Sequence, residues 1–200
     1  MKVALLGATG KAAARLIAEL RGRGHEVTGI ARNPPAEDLG ISLLVADAND
    51  EAALADAITG HDALIVAARF VSVDAGRILG ALKRAGVPRI LVVGGAGTLF
   101  AAPGKQVIDL PGIPEAYLPE MRGGRDFLEA LKASDADWTF LSPAANFGPG
   151  ERTGRYRLGG DTLLRDTAGE SRISYEDLAW AMVDELEEPH HRRERFSIAY

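Results

Sequence analysis

Four residues near the start of the chain, Gly7-Ala8-Thr9-Gly10, follow directly on the apolar run Lys2 to Leu6 and precede an alanine-rich stretch. A glycine at the end of a strand permits a sharp turn. A glycine at the start of a helix lets an anion approach the free N–H groups and the positive end of the helix dipole. Ala13, three residues further on, is small enough for that helix to pack close against the strand. The spacing is Gly-x-x-Gly-x-x-Ala, which differs from the usual Gly-x-Gly-x-x-Gly dinucleotide fingerprint in having Leu5 at the first glycine position. The chemistry it suits is phosphate binding, with Gly7, Ala8, Thr9, Gly10, Lys11 and Ala12 as the expected contacts. The Lys11 ammonium either reaches a phosphate or is solvated in the first helical turn.

A second position refines the ligand. In NAD-binding chains an acid about 20 residues beyond the glycines holds the ribose hydroxyls. Here the second strand-like run ends Gly29-Ile30-Ala31-Arg32-Asn33 without a carboxylate. A guanidinium in that place can bind a 2′-phosphate bidentately and stack on adenine, so NADPH is expected over NADH. Asp47, with Ala48 beside it, suits either a hydrogen bond from the adenine amino group or an ordinary turn. Ala67 and Ala68 are small enough for a ribose to pass over them, and Gly94 with Gly95 is expected to leave room for the nicotinamide.

These groups must be positioned by alternating elements. Apolar runs read as strands at Lys2 to Leu6, Glu26 to Ala31, Leu43 to Ala46, Ala63 to Ala67, Arg89 to Val93, Trp138 to Leu141 and Phe196 to Ala199. Helix-forming stretches lie at Lys11 to Arg21, Asp50 to Ile58, Ser72 to Ala85, Pro119 to Ala133 and Ser174 to Glu187. Pro34 and Pro35 are expected to break the backbone after the second strand. Alternation of this kind predicts a doubly wound parallel sheet in a three-layer α/β/α arrangement, as one domain over residues 1–200, with ligands at the carboxyl ends of the strands. Two long connections, 97–119 and 142–167, leave such ends and are expected to carry cofactor and substrate contacts. Within the second, Arg155-Tyr156-Arg157-Leu158 followed by Gly159-Gly160 reads as a hairpin.

Composition narrows the function classes. The 200 residues include no cysteine, so a thiolate nucleophile, a disulfide or a Cys-ligated metal is impossible. The four histidines show no ligand spacing with carboxylates, and no metal site is expected. A net charge of −5 argues against nucleic acid as a partner. No apolar run approaches the roughly 20 residues of a membrane span, and the opening segment reads as a strand rather than a signal peptide. A cytoplasmic location and a small-molecule substrate are therefore expected. The acidic run Asp184 to Glu188 and the basic cluster His190 to Arg195 read as solvated faces.

Gly7-Ala8-Thr9-Gly10, Arg32 and Val92-Val93-Gly94-Gly95-Ala96-Gly97 together resemble the atypical short-chain dehydrogenases. So do Trp138 to Ala144, Gly150 to Gly154, Gly159-Gly160-Asp161 and Ser171 to Ser174. Within that group the chain resembles the NADH-flavin reductases, relatives of biliverdin-IXβ reductase and NmrA-like proteins. The resemblance covers essentially the whole chain. It implies a Rossmann fold, a nicotinamide cofactor and hydride transfer to a flavin, FMN or FAD.

One departure bears on mechanism. Ordinary members use Tyr-x-x-x-Lys to donate a proton to a carbonyl, whereas here Tyr117 is followed four residues later by Met121. The expectation is a reductase that passes hydride to a flavin or similar conjugated molecule without that pair, Tyr117 being the one candidate catalytic contact. Ser142 and Pro143 are expected beside the cofactor, and Asn146 and Phe147 against the substrate. Arg155 and Arg157 either attract an anionic tail or are solvated. The alternative is an NmrA-like sensor that binds the nucleotide without turnover.

Overall fold

The computed structural model describes residues 1–33 and 37–200; the expected break at Pro34 and Pro35 lies outside these residues. The strands of the main sheet are β1 (Lys2–Leu6), β2 (Glu26–Ala31), β3 (Ser42–Val45), β4 (Ala63–Val66) and β5 (Arg89–Val93) in the first half of the chain. The second half adds two short pairs and three further strands. These are β6 (Phe100–Ala102) with β7 (Lys105–Gln106), β8 (Asp137–Pro143), β9 (Asn146–Gly148), β10 (Arg157–Gly159), β11 (Arg172–Ser174) and β12 (Glu194–Ala199). The helices are α1 (Lys11–Gly22), α2 (Glu51–Ile58), α3 (Ala75–Ala85), α4 (Leu118–Ala133) and α5 (Tyr175–Glu187).

The main sheet runs β10-β12-β8-β5-β4-β1-β2-β3, and every neighbouring pair is parallel except β10 with β12. The two-residue period of a strand sorts its side chains between two cores. From β1, Val3 and Leu5 point into one with residues of α1 and α5, while Ala4 and Leu6 point into the other with residues of α2, α3 and α4. The result is the three-layer α/β/α Rossmann arrangement. After β3 the chain returns to pair β4 on the opposite side of β1, so the strand order reverses between β1 and β4. That switch point is where a doubly wound sheet opens a crevice.

Three expectations change. The stretch around residue 157 is not a local hairpin: β10 pairs antiparallel with β12, Leu158 opposite Ile198. An alternating segment satisfies its backbone on any free sheet edge, and the edge of β12 was free. The third helix begins at Ala75, because residues Phe70–Ser72 form a separate 3₁₀ turn and Asp74 caps α3 by accepting from the Arg77 N–H.

The charge runs near the C-terminus are solvated only in part: Glu187, Glu188, His190, Arg192 and Arg193 are exposed as expected, but Glu185 and Arg195 are not. Glu185 is buried, bonded to Arg89 and to the backbone N–H groups of His190 and His191. Arg195 pairs with Asp161 and donates to the Thr98 hydroxyl. Burial of one charge selects a partner for it, which a linear run cannot reveal.

Candidate functional site

At the switch point the chain leaves β1 through Gly7, whose φ of +84° suits glycine. The N–H groups of Gly7 and Ala8 donate to the Ile30 carbonyl at 2.9 and 3.4 Å, and the Gly10 N–H donates to the Gly7 carbonyl at 3.0 Å. A Cβ on Gly7 would stand 2.8 Å from the Ala67 carbonyl oxygen and the Ala68 nitrogen. The loops after β1 and β4 thus meet at main-chain distance, and any side chain at residue 7 would push them apart.

Beside them lies a cavity of about 310 Å³ whose walls include Gly7, Thr9, Gly10, Arg32, Asp47, Ala48, Ala67 and Ala68. Ala8 is buried beneath the loop, while Lys11 and Ala12 sit on the first turn of α1 behind it.

The start of α1 differs from those of α2, α3 and α5. Asp50, Asp74 and Ser174 accept from first-turn N–H groups of α2, α3 and α5. Gly10 offers α1 no side chain, and its first turn holds no acid. Among the described residues, the N–H groups of Thr9, Lys11, Ala12 and Ala13 have no protein acceptor. Four donors at a positive helix end, next to a glycine-lined cavity, fit a pyrophosphate. Arg32 is exposed at the rim and without an ion-pair partner among the described residues. Asp47 is partly committed: its Oδ1 accepts from the Asn49 N–H at 2.9 Å, closing a turn.

A second cavity, about 360 Å³, opens at the carboxyl ends of β5 and β8. Gly94, Gly95, Met121, Phe140, Pro143 and Phe147 supply most of its apolar wall, with Tyr117 at the mouth, 62% exposed. Its other polar side chains are engaged. Thr98 accepts from Arg195 at 2.8 Å, and Glu120 accepts from the Phe70 and Val71 N–H groups at 2.8 and 3.2 Å. Glu120 went unnoticed in the sequence. It caps the 3₁₀ turn after β4 and so holds one wall of the site from α4. The pair Gly123-Gly124 inside α4 was the available signal, because two glycines weaken a helix and need a reason. The reason is Phe70, against which both pack within about 3 Å of where a Cβ would stand.

Two placements differ from expectation. Ser142 does not reach either cavity: it is fully buried within β8, opposite Ser197, and its hydroxyl has no partner among the described residues. Along a strand neighbouring side chains face opposite ways, so Pro143 faces the cavity and Ser142 does not. Gly94 leaves no vacancy, since a Cβ there would overlap the Phe140 ring; the open space is at Gly95. Asn146 lies outside the second cavity, in an adjoining open groove that shares Tyr117 and Phe147 with it.

That groove is walled by residues 149–155, which are pinned from below. Asp177 is fully buried and accepts from the Thr153 hydroxyl at 2.6 Å, the Gly154 N–H at 2.8 Å and the Tyr200 hydroxyl at 2.8 Å. Arg152 forks onto Glu19 of α1 at 2.9 and 2.8 Å and lies 3.8 Å above the Trp180 ring. That fork holds the Glu19 carboxyl below its ordinary value against the opposing effect of burial. Burial pushes the Tyr200 phenol up.

With the geometry in place, the relatives decide the family. The family described as NAD(P)H-binding matches residues 7–189. The chain belongs to it. Solved structures of similar chains cover all of this one. A "putative exported protein" from Burkholderia pseudomallei is 44% identical over its whole length, with a TM-score of 0.90. A "putative epimerase" from Bacteroides thetaiotaomicron is 42% identical over 96% of its length, TM-score 0.92. A "putative NADH-flavin reductase" from Streptococcus pneumoniae is 34% identical over 99% of its length, TM-score 0.86. Membership of the NAD(P)H-binding family supports a nicotinamide cofactor for the crevice and an oxidoreductase-like fold around it. Among the described residues no helix is long and apolar enough to cross a membrane.

Proposed function

We propose that this NAD(P)H-binding protein is an NADPH-dependent reductase that passes hydride to a flavin or similar flat conjugated molecule. The observation that carries the reading is the second cavity. It lies at the carboxyl ends of β5 and β8, its walls are apolar, and Glu120 and Thr98 within it are tied into structure.

A bound reduced nicotinamide supplies hydride to such an acceptor, whose proton can come from water. The protein's own part is positioning and exclusion of water. The free N–H groups of Thr9, Lys11, Ala12 and Ala13 would hold the pyrophosphate, and Arg32 the 2′-phosphate. Ala48, Ala67 and Ala68 would line the ribose and adenine path, with Asp47 Oδ2 turned to the adenine amino group. Gly95 and Pro143 would border the nicotinamide, and Phe147 and Met121 would stack the acceptor. Tyr117 at the cavity mouth would touch the acceptor. Ketone reduction and epimerisation, the latter suggested by the name of the Bacteroides relative, both need a proton-transfer pair, and Met121 stands where its lysine would be.

The test is NADPH oxidation with FMN, FAD and riboflavin as acceptors. Turnover near ~1 s⁻¹ or faster is expected; nucleotide binding with no turnover across these acceptors would replace the reductase by a sensor. For the coenzyme, Arg32→Asp should weaken NADPH by about tenfold or more while sparing NADH, the loss of one charge-assisted contact. Equal loss for both coenzymes in calorimetry would remove Arg32 from the 2′-phosphate.

A further inference from the structure

The acceptor cavity does not end at Tyr117. It continues into the open groove of about 950 Å³, with Tyr117, Ala145 and Phe147 lining both spaces. The groove's lining is of a different character from the cavity's. Two arginines, Arg155 and Arg172, line it, and both are exposed. Neither makes an ion pair among the described residues, whereas Arg152, on the same loop as Arg155, is held by Glu19. The Arg172 guanidinium is directed by the Tyr200 ring, 5.4 Å from its centroid. Arg157 takes no part, since it donates to the Arg165 and Tyr200 carbonyls.

The groove is also a built feature. Gly150 donates to Glu176, Thr153 and Gly154 are fixed by Asp177, and the Ser174 hydroxyl donates to the Glu151 carbonyl. The backbone that carries Arg155 is therefore held in place, and the Arg155 N–H itself donates to the Thr153 hydroxyl at 3.1 Å. Glu151 is the one carboxylate on the lining, and its backbone is turned to Ser174. Two unpaired guanidiniums beside an aromatic-walled slot suit a molecule with a flat ring at one end and an anionic arm at the other.

We infer that the acceptor carries an anionic arm, of the phosphate type found in FMN, and that Arg155 and Arg172 hold this arm while the ring lies in the cavity behind Tyr117 and Phe147. This rests on the reading of that cavity as the acceptor site and names the class of acceptor it takes. It also separates two cationic poles on the protein: Arg32 for the coenzyme, and Arg155 with Arg172 for the acceptor.

The experiment measures equilibrium binding of FMN and of riboflavin, by quenching of flavin fluorescence, to the full chain saturated with NADP⁺. Turnover with each is measured alongside. FMN should bind at least about tenfold more tightly than riboflavin, as expected for one or more charge-assisted contacts. The preference should fall with added salt. Arg155→Glu should collapse the ratio towards one, and Arg172→Gln should reduce it. Arg84→Glu, which makes the same charge change on the exposed last turn of α3, should keep it.

Equal binding of the two flavins, no binding of either, or a preference that survives Arg155→Glu would overturn the anionic subsite. Comparable turnover of both flavins without preference would leave the reductase standing and remove only the subsite. FMN preference without turnover would keep the subsite and remove the reductase.

Discussion

The two ends of the sheet hold their loops by different means. Where the loops after β1 and β4 meet β2 at Gly7, the fastening is main chain. The Ile30 carbonyl takes the N–H groups of Gly7 and Ala8, and the Ala67 backbone closes directly on Gly7. Around β8 and β12 it is side chain. Glu185 holds Arg89, Asp177 holds Thr153, Gly154 and Tyr200, and Arg152 reaches across to Glu19, more than a hundred residues away in sequence. The first arrangement leaves backbone donors free for a ligand whose shape does not vary. The second lets long loops differ in length and residue while the groove they wall stays in place. On the proposed function, the coenzyme would meet the first construction and the acceptor the second.

The sharpest way to break the contrast is to remove a carboxylate from the second region. Glu185→Ala leaves the buried Arg89 with Asp137 as its one carboxylate beside the Thr139 hydroxyl, and should cost about 3–5 kcal/mol of stability. Urea unfolding measures it; a loss no larger than that of an exposed ion pair would show that the region does not depend on side-chain fastening. In the first region the corresponding change is Gly7→Ala. It places a Cβ against the Ala67 carbonyl at a positive φ and should cost about 1–3 kcal/mol. Here the expected signature is a drop in NADPH affinity together with a lower melting temperature. Unchanged coenzyme binding would mean that the main-chain contact between these loops is dispensable.

The smallest expected effect sharpens the comparison through pH. Arg152 holds the Glu19 carboxyl below its ordinary value of about 4.5, so the fork contributes stability above that pH and loses it as pH falls through the lowered value. With half of the Arg152 side chain exposed, the contribution is at most about 1 kcal/mol. Glu19→Gln should therefore be less stable than the parent at pH 7, and the gap should close as pH falls through the Glu19 titration, measured by denaturant unfolding across the acid range. A gap that stays constant until the parent itself unfolds in acid would show that the fork is not electrostatic.

Much of the nucleotide end was legible in the linear sequence. Gly7 and Gly10 act through the absence of a side chain and Ala13 through a small one, at fixed offsets from a strand end, and Arg32 follows the next strand, so adjacent positions suffice to read them. The strand and helix alternation was legible for the same reason, since each apolar period is local. The end around β8 and α4 was not. Glu120 matters because its carboxylate finds the Phe70 and Val71 N–H groups, fifty residues back. Ser142 and Pro143 are neighbours in sequence, and only the strand's orientation decided that one is entombed and the other faces the cavity. Arg155 and Arg157 looked alike as a pair; tertiary structure gave Arg157 two carbonyl partners and set Arg155 on the groove that Arg172 also lines, without an ion-pair partner among the described residues. The sequence alone determined where backbone could meet phosphate, because that depends on local chain geometry. Which charges are spent on the fold and which remain for a ligand was decided only when distant segments packed together, because a charge's partner is set by distance in space.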